Sequence, residues 1–186
     1  MTVTTGQKLV QPIKKDADLE QLRSIVSAIQ GELCWNARMS YGDELNIHIG
    51  ERIPYTYKKL AGKEKGSWIL GTRGTEWNLE SPTKETIASS KEAPEVFKEK
   101  VKVIEGTTIA AFETYYPDLV LTVEFSNGCK LKIFPDLADD FDLSYWELFT
   151  PYNTLLTLEP GAIWTYRRAD VPMSAKINQL SNQLGG

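Results

Sequence analysis

The residues best suited to chemistry in this 186-residue chain are its single histidine, His48, and the cysteine Cys34. A thiol beside an imidazole can act as a nucleophile, because the ring takes up the proton and the thiolate attacks. The strand pairing predicted below places Asn36 opposite His48, with Cys34 one step further along, so a Cys34–His48 dyad is geometrically allowed. The simpler interpretation is a surface histidine and an inert, small cysteine.

Four aspartates crowd one segment in the second half of the chain. They are Asp136, Asp139, Asp140 and Asp142. Oxygen-rich clusters can hold Ca²⁺, but this segment lacks the Asp-x-Asp-x-Asp-Gly spacing and the closing Glu of a calcium loop. A solvated acidic loop is the simpler interpretation, and neither a metal nor a cofactor is predicted.

A basic segment carries the opposite charge. Residues 52–65 have a net charge of +4 and residues 136–147 a net charge of −5. The basic segment also interleaves Tyr55 and Tyr57 with Lys58 and Lys59, and tyrosine is enriched at contact surfaces. The opposite charges could dock one part of the chain, or one subunit, against another, or attract an external partner. The alternative is two independent solvated loops.

Composition and missing motifs narrow the classes of function. Hydrophobic residues make up 41% and charged residues 25% of the chain, which predicts a packed core and excludes general disorder. The sequence has no phosphate-binding glycine loop, Gly-x-Ser-x-Gly, His-Glu-x-x-His or Cys-x-x-Cys motif. A net charge of −4 and a pI of about 5.2 argue against a nucleic-acid binder.

The expected location is the cytoplasm. No stretch approaches the roughly 20 apolar residues of a membrane span. The first 15 residues lack the apolar run and cleavage site of a secretory signal. Two cysteines in a chain of this size are compatible with a reducing compartment.

Apolar spacing predicts two helices and two hairpins. Helical spacing is found at Leu19, Leu22, Val26 and Ile29, before Gly31, and at Phe97, Val101 and Ile104, before Gly106. Alternation predicts strands over residues 33–39 and 45–49, and over 119–125 and 129–133. The strands of the first hairpin should turn Leu33, Trp35, Ala37 and Met39 toward the core and Cys34, Asn36, Arg38 and His48 away from it.

The loops that join these strands follow from the same alternation. The apolar sets share a face only if each loop has three residues, which places Met39 opposite Leu45 and Phe125 opposite Cys129. A two-residue Asn127–Gly128 turn would mix the faces. The three-residue loop also places Glu124 opposite Lys130, a favourable cross-strand pair.

The order of elements predicts an α+β fold with an internal repeat. Each of two similar halves would pack a helix on an antiparallel sheet of about four strands, around one shared core. Gly31 precedes Trp68 by 37 residues, and Gly106 precedes Trp146 by 40. The predicted organisation is a flexible arm (1–15), a first half (16–80), a polar connection, a second half (94–170) and a short C-terminal helix (171–186).

Two segments carry a resemblance to known proteins. They are LTVEFSNGCKLKIFP and YWELFTPYNTLLTLEPGAIWTY, within residues 119–166. They resemble small uncharacterised bacterial proteins, some of which are similar to immunity proteins that neutralise toxins. The resemblance implies a cytosolic bacterial protein that acts by binding another protein, and it implies no functional residue.

Three functions follow from these patterns. The favoured one is a non-catalytic protein-binding module, immunity-like or regulatory, whose acidic loop and exposed tyrosines contact another protein or a second copy. The alternative is a small-molecule-binding or hydrolytic protein with a pocket between the halves, where Arg38, His48 and Arg73 are the polar candidates. The third is nucleic-acid binding through residues 52–65, which the acidity of the chain disfavours.

Overall fold

The structure, a computed structural model, describes residues 8–138 and 142–170. Both predicted helices are confirmed: α1 spans Glu20–Val26 and α2 spans Pro94–Lys100, and 3₁₀ turns flank α1 and continue α2. All seven apolar residues that predicted them are buried. Each helical segment ends two residues before the predicted glycine, and Gly31 and Gly106 have φ angles of 86° and 80°.

Strands dominate the described residues, and all of them belong to one antiparallel sheet of 12 strands. They are β1 (Leu9–Pro12), β2 (Leu33–Met39), β3 (Leu45–Pro54), β4 (Glu64–Thr72), β5 (Glu76–Glu80), β6 (Thr86–Ser89), β7 (Thr107–Thr114), β8 (Leu121–Phe125), β9 (Lys130–Phe134), β10 (Trp146–Phe149), β11 (Thr154–Glu159) and β12 (Ile163–Arg168). Their order across the sheet is β1-β12-β11-β10-β4-β3-β2-β7-β8-β9-β5-β6. One hydrophobic core collects side chains from both helical segments and from strands throughout this order.

The predicted α+β fold with an internal repeat is wrong, because the structure is a mostly-β fold on one continuous sheet. β5 follows β4 in sequence but pairs with β9, and β10 follows β9 but pairs with β4. The Trp68 and Trp146 strands, expected at equivalent places in separate halves, are therefore direct neighbours. Alternation predicts where a strand lies and which face is apolar, but it leaves the partner strand open.

Two segments that the sequence predicts to be irregular contain strands in the structure. Within residues 1–15, expected to be a flexible arm, Leu9–Pro12 forms β1 at one edge of the sheet and pairs with β12. Within the polar connection, Thr86–Ser89 forms β6 at the other edge. The predicted C-terminal helix over residues 171–186 lies outside the described residues.

Both predicted hairpin registers are confirmed. Met39 pairs with Leu45 across β2 and β3. Glu124 pairs with Lys130 across β8 and β9, and the backbone N–H of Phe125 donates to the Cys129 carbonyl at 2.9 Å. Three-residue loops therefore close both hairpins, as the alternation of apolar residues requires.

A β-bulge in β2 overturns part of the predicted facing. Cys34 pairs with Ile49 and Asn36 with His48, so Trp35 is the extra residue between two paired positions. Cys34 is consequently buried in the core, and Leu33 is 45% exposed. The bulge reverses the faces on which Leu33 and Cys34 lie, and a strict period of two residues does not predict this reversal.

A second irregularity bends β3 against β4. Ile49 pairs with Trp68 but Arg52 pairs with Gly66, so β3 has one residue more than β4 across this interval. At Gly66 a Cβ atom would lie 2.5 Å from the Trp68 carbonyl oxygen and 2.6 Å from the backbone N and O of Ile49. The bend therefore requires glycine at this position.

We expect Gly66→Ala to lower the free energy of unfolding by about 3 kcal/mol, because the added methyl group must displace rigid backbone atoms. Gly71→Ala, on the same strand, is the matched control, since its nearest neighbour would be the Leu45 carbonyl at 3.8 Å. Urea unfolding of both variants measures the difference. Equal free energies of unfolding would contradict the close approach at Gly66.

Candidate functional site

The segment that stands out from the sheet is the end of the β3–β4 hairpin, residues 51–65, which we call the basic arm. β2 pairs with β3 no further than Ile49, and β10 pairs with β4 from Ile69 onward. Within the described part of the chain, the two strands of the basic arm therefore pair only with each other, at Arg52–Gly66, Ile53–Lys65 and Pro54–Glu64. The arm is a two-stranded projection without a third strand.

The basic arm exposes charge and aromatic surface. It contains five basic and two acidic residues, and the basic side chains at positions 52, 58, 59 and 63 are exposed. Tyr57, near its tip, is 61% exposed. Tyr55 is half-buried, and the Nζ atom of Lys65 lies 5.8 Å from the centre of its ring. Four predicted binding residues, Tyr55, Tyr57, Lys58 and Lys59, thus share one projecting surface.

His48 lies at the root of the basic arm and is structural. It is on the predicted face of β3, but it is 1% exposed rather than a surface residue. Its Nδ1 accepts the Gly66 backbone N–H at 3.0 Å, and its Nε2–H therefore donates to Asn46 Oδ1 at 2.7 Å. Burial, together with the charge of Arg38, lowers its pKa to about 4. Neutral His48 ties the bent part of β4 to β3.

An aromatic and guanidinium stack lies beside His48. The Trp35 ring meets the His48 ring edge to face, with centroids 5.2 Å apart. The Arg52 guanidinium lies over the Trp35 ring, 4.6 Å from its centre. Arg38, a predicted binding residue, is exposed near this stack, with its Nε 3.4 Å from Asn46 Oδ1.

The Cys34–His48 dyad is wrong. The β2 bulge places Cys34 in the core, whereas both ring nitrogens of His48 are engaged on the other face of the sheet. Burial, with the nearby charge of Glu105, raises the pKa of the Cys34 thiol to about 12. Burial also raises the pKa of Cys129. Both thiols are therefore protonated at neutral pH and poor nucleophiles.

Arg73 belongs to the opposite end of the sheet from the basic arm. Its guanidinium lies 3.2 Å from Glu147 and 3.7 Å from Glu44, and Ser144 Oγ donates to Glu147 at 2.9 Å. Arg73 is four residues beyond Ile69, the strand partner of His48, which is about 13 Å of strand. His48 and Arg73, two of the three predicted polar residues, therefore do not converge.

The acidic segment also lies at this opposite end. Asp136 and Asp142 are described and flank the loop before β10, while Asp139 and Asp140 lie outside the described residues. The seven residues of β4 beyond the basic arm, 66–72, separate this end from the arm, a length of about 23 Å. Among residues 8–138 and 142–170, no three His, Cys, Asp or Glu side chains are grouped to hold a metal ion.

Sequence reasoning missed two members of the site. Arg52 is the first basic residue after the predicted strand over 45–49, but its charge alone does not separate it from the arm lysines. Trp35 was expected in the core because it falls on the apolar phase of β2. No local signal marks the bulge that moves it, since the bulge depends on pairing with β3.

The buried, neutral His48 gives the protein an acid-sensitive stability. Since the folded-state pKa of about 4 lies below the ordinary value of 6.5, the unfolded chain takes up the proton first as the pH falls. The free energy of unfolding should therefore decrease below pH 6.5 by up to about 1.4 kcal/mol per pH unit, levelling off near pH 4. Urea unfolding between pH 7 and pH 5 measures this slope, before most carboxylates titrate.

His48→Phe is the control for this prediction. It removes the titrating group and leaves the buried Gly66 N–H without its acceptor, which costs about 1–3 kcal/mol at pH 7. The difference in free energy of unfolding between the wild-type chain and this variant should become smaller as the pH falls. A difference that is constant from pH 7 to pH 5 would contradict the assignment of His48 as a neutral acceptor.

No protein-family model, curated protein or solved structure matches the chain. The resemblance of residues 119–166 to immunity-like proteins stays a prediction, and those residues include the β8–β9 hairpin and strands β10 to β12. Among the described residues, the helices are too short and too polar to cross a membrane. The interpretation of the basic arm therefore depends on its own geometry.

Proposed function

We propose that this chain is a non-catalytic protein-binding module that presents its basic arm to an acidic surface of a partner protein. The single observation that carries this proposal is the arm itself. It is a hairpin that projects beyond its neighbouring strands and exposes four basic side chains together with Tyr57. Such a surface adds little to the hydrophobic core, and its charge favours association with acidic groups.

The arm is ordered before it binds, which lowers the cost of binding. Paired backbone between positions 52–54 and 64–66 and the Tyr55 N–H to Lys63 carbonyl hydrogen bond at 3.0 Å hold its shape. A disordered segment would lose conformational entropy on binding, whereas a preformed hairpin has already lost most of it. Its lysines would steer the encounter, and its tyrosines would supply contact area.

An acidic protein is favoured over a nucleic acid as the partner. The whole chain has a net charge of −4. The end of the sheet opposite the arm carries four acidic residues, of which Glu44 and Glu147 pair with Arg73; the other two are Asp136 and Asp142. A polyanion longer than the arm would meet this repulsive surface, while a local acidic patch on a folded protein would not. The two buried free cysteines support a reducing, cytoplasmic location.

The proposal is tested with a triple variant of the basic arm, in which Lys58, Lys59 and Lys63 are changed to Glu. Immobilised wild-type and variant chains are compared in capture experiments from bacterial extract at 50 mM and 300 mM salt. We expect a bound protein that the variant does not retain and that high salt releases, because screening shortens the range of the attraction.

The matched control changes Lys14, Lys84 and Lys98 to Glu, which are exposed lysines outside the arm with the same total change in charge. This control should retain the partner. Equal capture by the wild-type chain and the arm variant would overturn the proposal, as would arm-dependent retention of single-stranded oligonucleotides without any protein. Sedimentation of the chain alone, in the same salt series, identifies a second copy as the partner if the arm variant abolishes self-association.

A further inference from the structure

We propose that Trp35 and Arg52, at the root of the basic arm, form an anchor site for one carboxylate side chain, Asp or Glu, of the partner protein. This inference rests on the proposed function and deepens it. The arm lysines attract any acidic surface, whereas the Trp35–Arg52 pair selects a single carboxylate at a defined place. Tryptophan and arginine are the residue types most enriched among those that dominate binding energy.

Arg52 is placed to bind a carboxylate with two parallel hydrogen bonds. Its guanidinium covers the Trp35 ring at 4.6 Å, so stacking occupies the flat face and leaves the N–H groups at its edge. The ion pair that it makes with Glu64 is long, at 3.7 Å, and both side chains are substantially exposed. Such a pair contributes little, and a partner carboxylate in bidentate geometry would replace it.

Trp35 offers a hydrogen-bond donor that lacks an acceptor. Its indole Nε1–H is shielded from water and has no hydrogen-bond partner within the described part of the chain. A buried donor in this state destabilises the folded chain. Arg52 lies over the same ring and is exposed, so a carboxylate that it binds lies beside the indole. A carboxylate that bridges Arg52 and the indole N–H would satisfy this donor.

The anchor site is rigid on its inner side. The His48 ring meets Trp35 at an interplanar angle of 70°, and two hydrogen bonds, from Gly66 and to Asn46, fix His48. Arg38 lies beside Asn46 and adds positive charge. The indole is therefore held in place before the partner arrives.

The test follows the indole N–H signals by NMR in the full chain. The probe is a short, end-capped peptide of alternating glycine and glutamate, and the same peptide with glutamine is its control. Trp35→Phe identifies the Trp35 signal. We expect the glutamate peptide to shift that signal saturably and the glutamine peptide to leave it unchanged.

Arg52→Lys separates the anchor from general attraction, because it keeps the charge of the arm but loses the planar fork and the stack. We expect it to weaken peptide binding about tenfold and to remove the shift of the Trp35 signal. Lys63→Gln is the matched control. It lowers the arm charge at a site that pairs with Tyr55, and we expect at most about a fivefold loss with the Trp35 shift retained. Unchanged signals from Trp68, Trp77, Trp146 and Trp164 verify that both variants fold.

The outcomes distinguish the anchor from the arm. Peptide binding that shifts backbone signals of residues 57–63 but leaves the Trp35 signal in place would overturn the anchor and preserve the proposed function. Wild-type affinity in Arg52→Lys would also overturn it. If the glutamate peptide shifts no signal in the arm or at Trp35, while capture of an acidic protein still depends on the arm lysines, the anchor fails alone. If neither occurs, both proposals fail.

Discussion

The hydrogen bond from the Gly66 N–H to Nδ1 of His48 is the interaction on which the basic arm depends. The irregularity in β3 bends the hairpin and shifts the strand pairing at Gly66. The buried N–H of Gly66 takes a side chain as its hydrogen-bond acceptor. His48 supplies it at 3.0 Å only while its ring is neutral. Burial ensures this, because it lowers the pKa of His48 to about 4.

The same contact orders the proposed binding surface. His48 fixes the Trp35 ring, and Trp35 carries Arg52, so one buried imidazole determines where a guanidinium emerges from the sheet. A lone histidine in a sequence suggests catalysis, but a ring with both nitrogens engaged has no free site for a proton. His48 fixes the irregular part of the hairpin and the Trp35 ring in one conformation. Residues that support a binding surface from behind act in this way.

Local features of this fold could be predicted from the sequence, and long-range pairing could not. The helices and the Met39–Leu45 and Glu124–Lys130 registers depend on spacing within a few residues, and the structure confirms them. The pairing of β4 with β10 and of β9 with β5 joins segments about 50 to 80 residues apart. Any alternating strand offers the same backbone groups to a neighbour, so composition cannot choose among the partners. The internal repeat inferred from Trp68 and Trp146 fails for this reason.

The candidate site was predictable in its charge and not in its anchor. The tyrosines and lysines of the arm follow from the sequence because exposure of a charged loop requires no partner. Trp35 does not, since its place outside the core arises from a bulge against β3.

The structure also places the oppositely charged segments at the two ends of β4. With about 23 Å of strand between them, they are too far apart to neutralise each other inside one molecule, because the screening length at physiological salt is about 8 Å. The arm therefore keeps its positive potential in an otherwise acidic protein, which is the electrostatic condition for attracting an acidic partner.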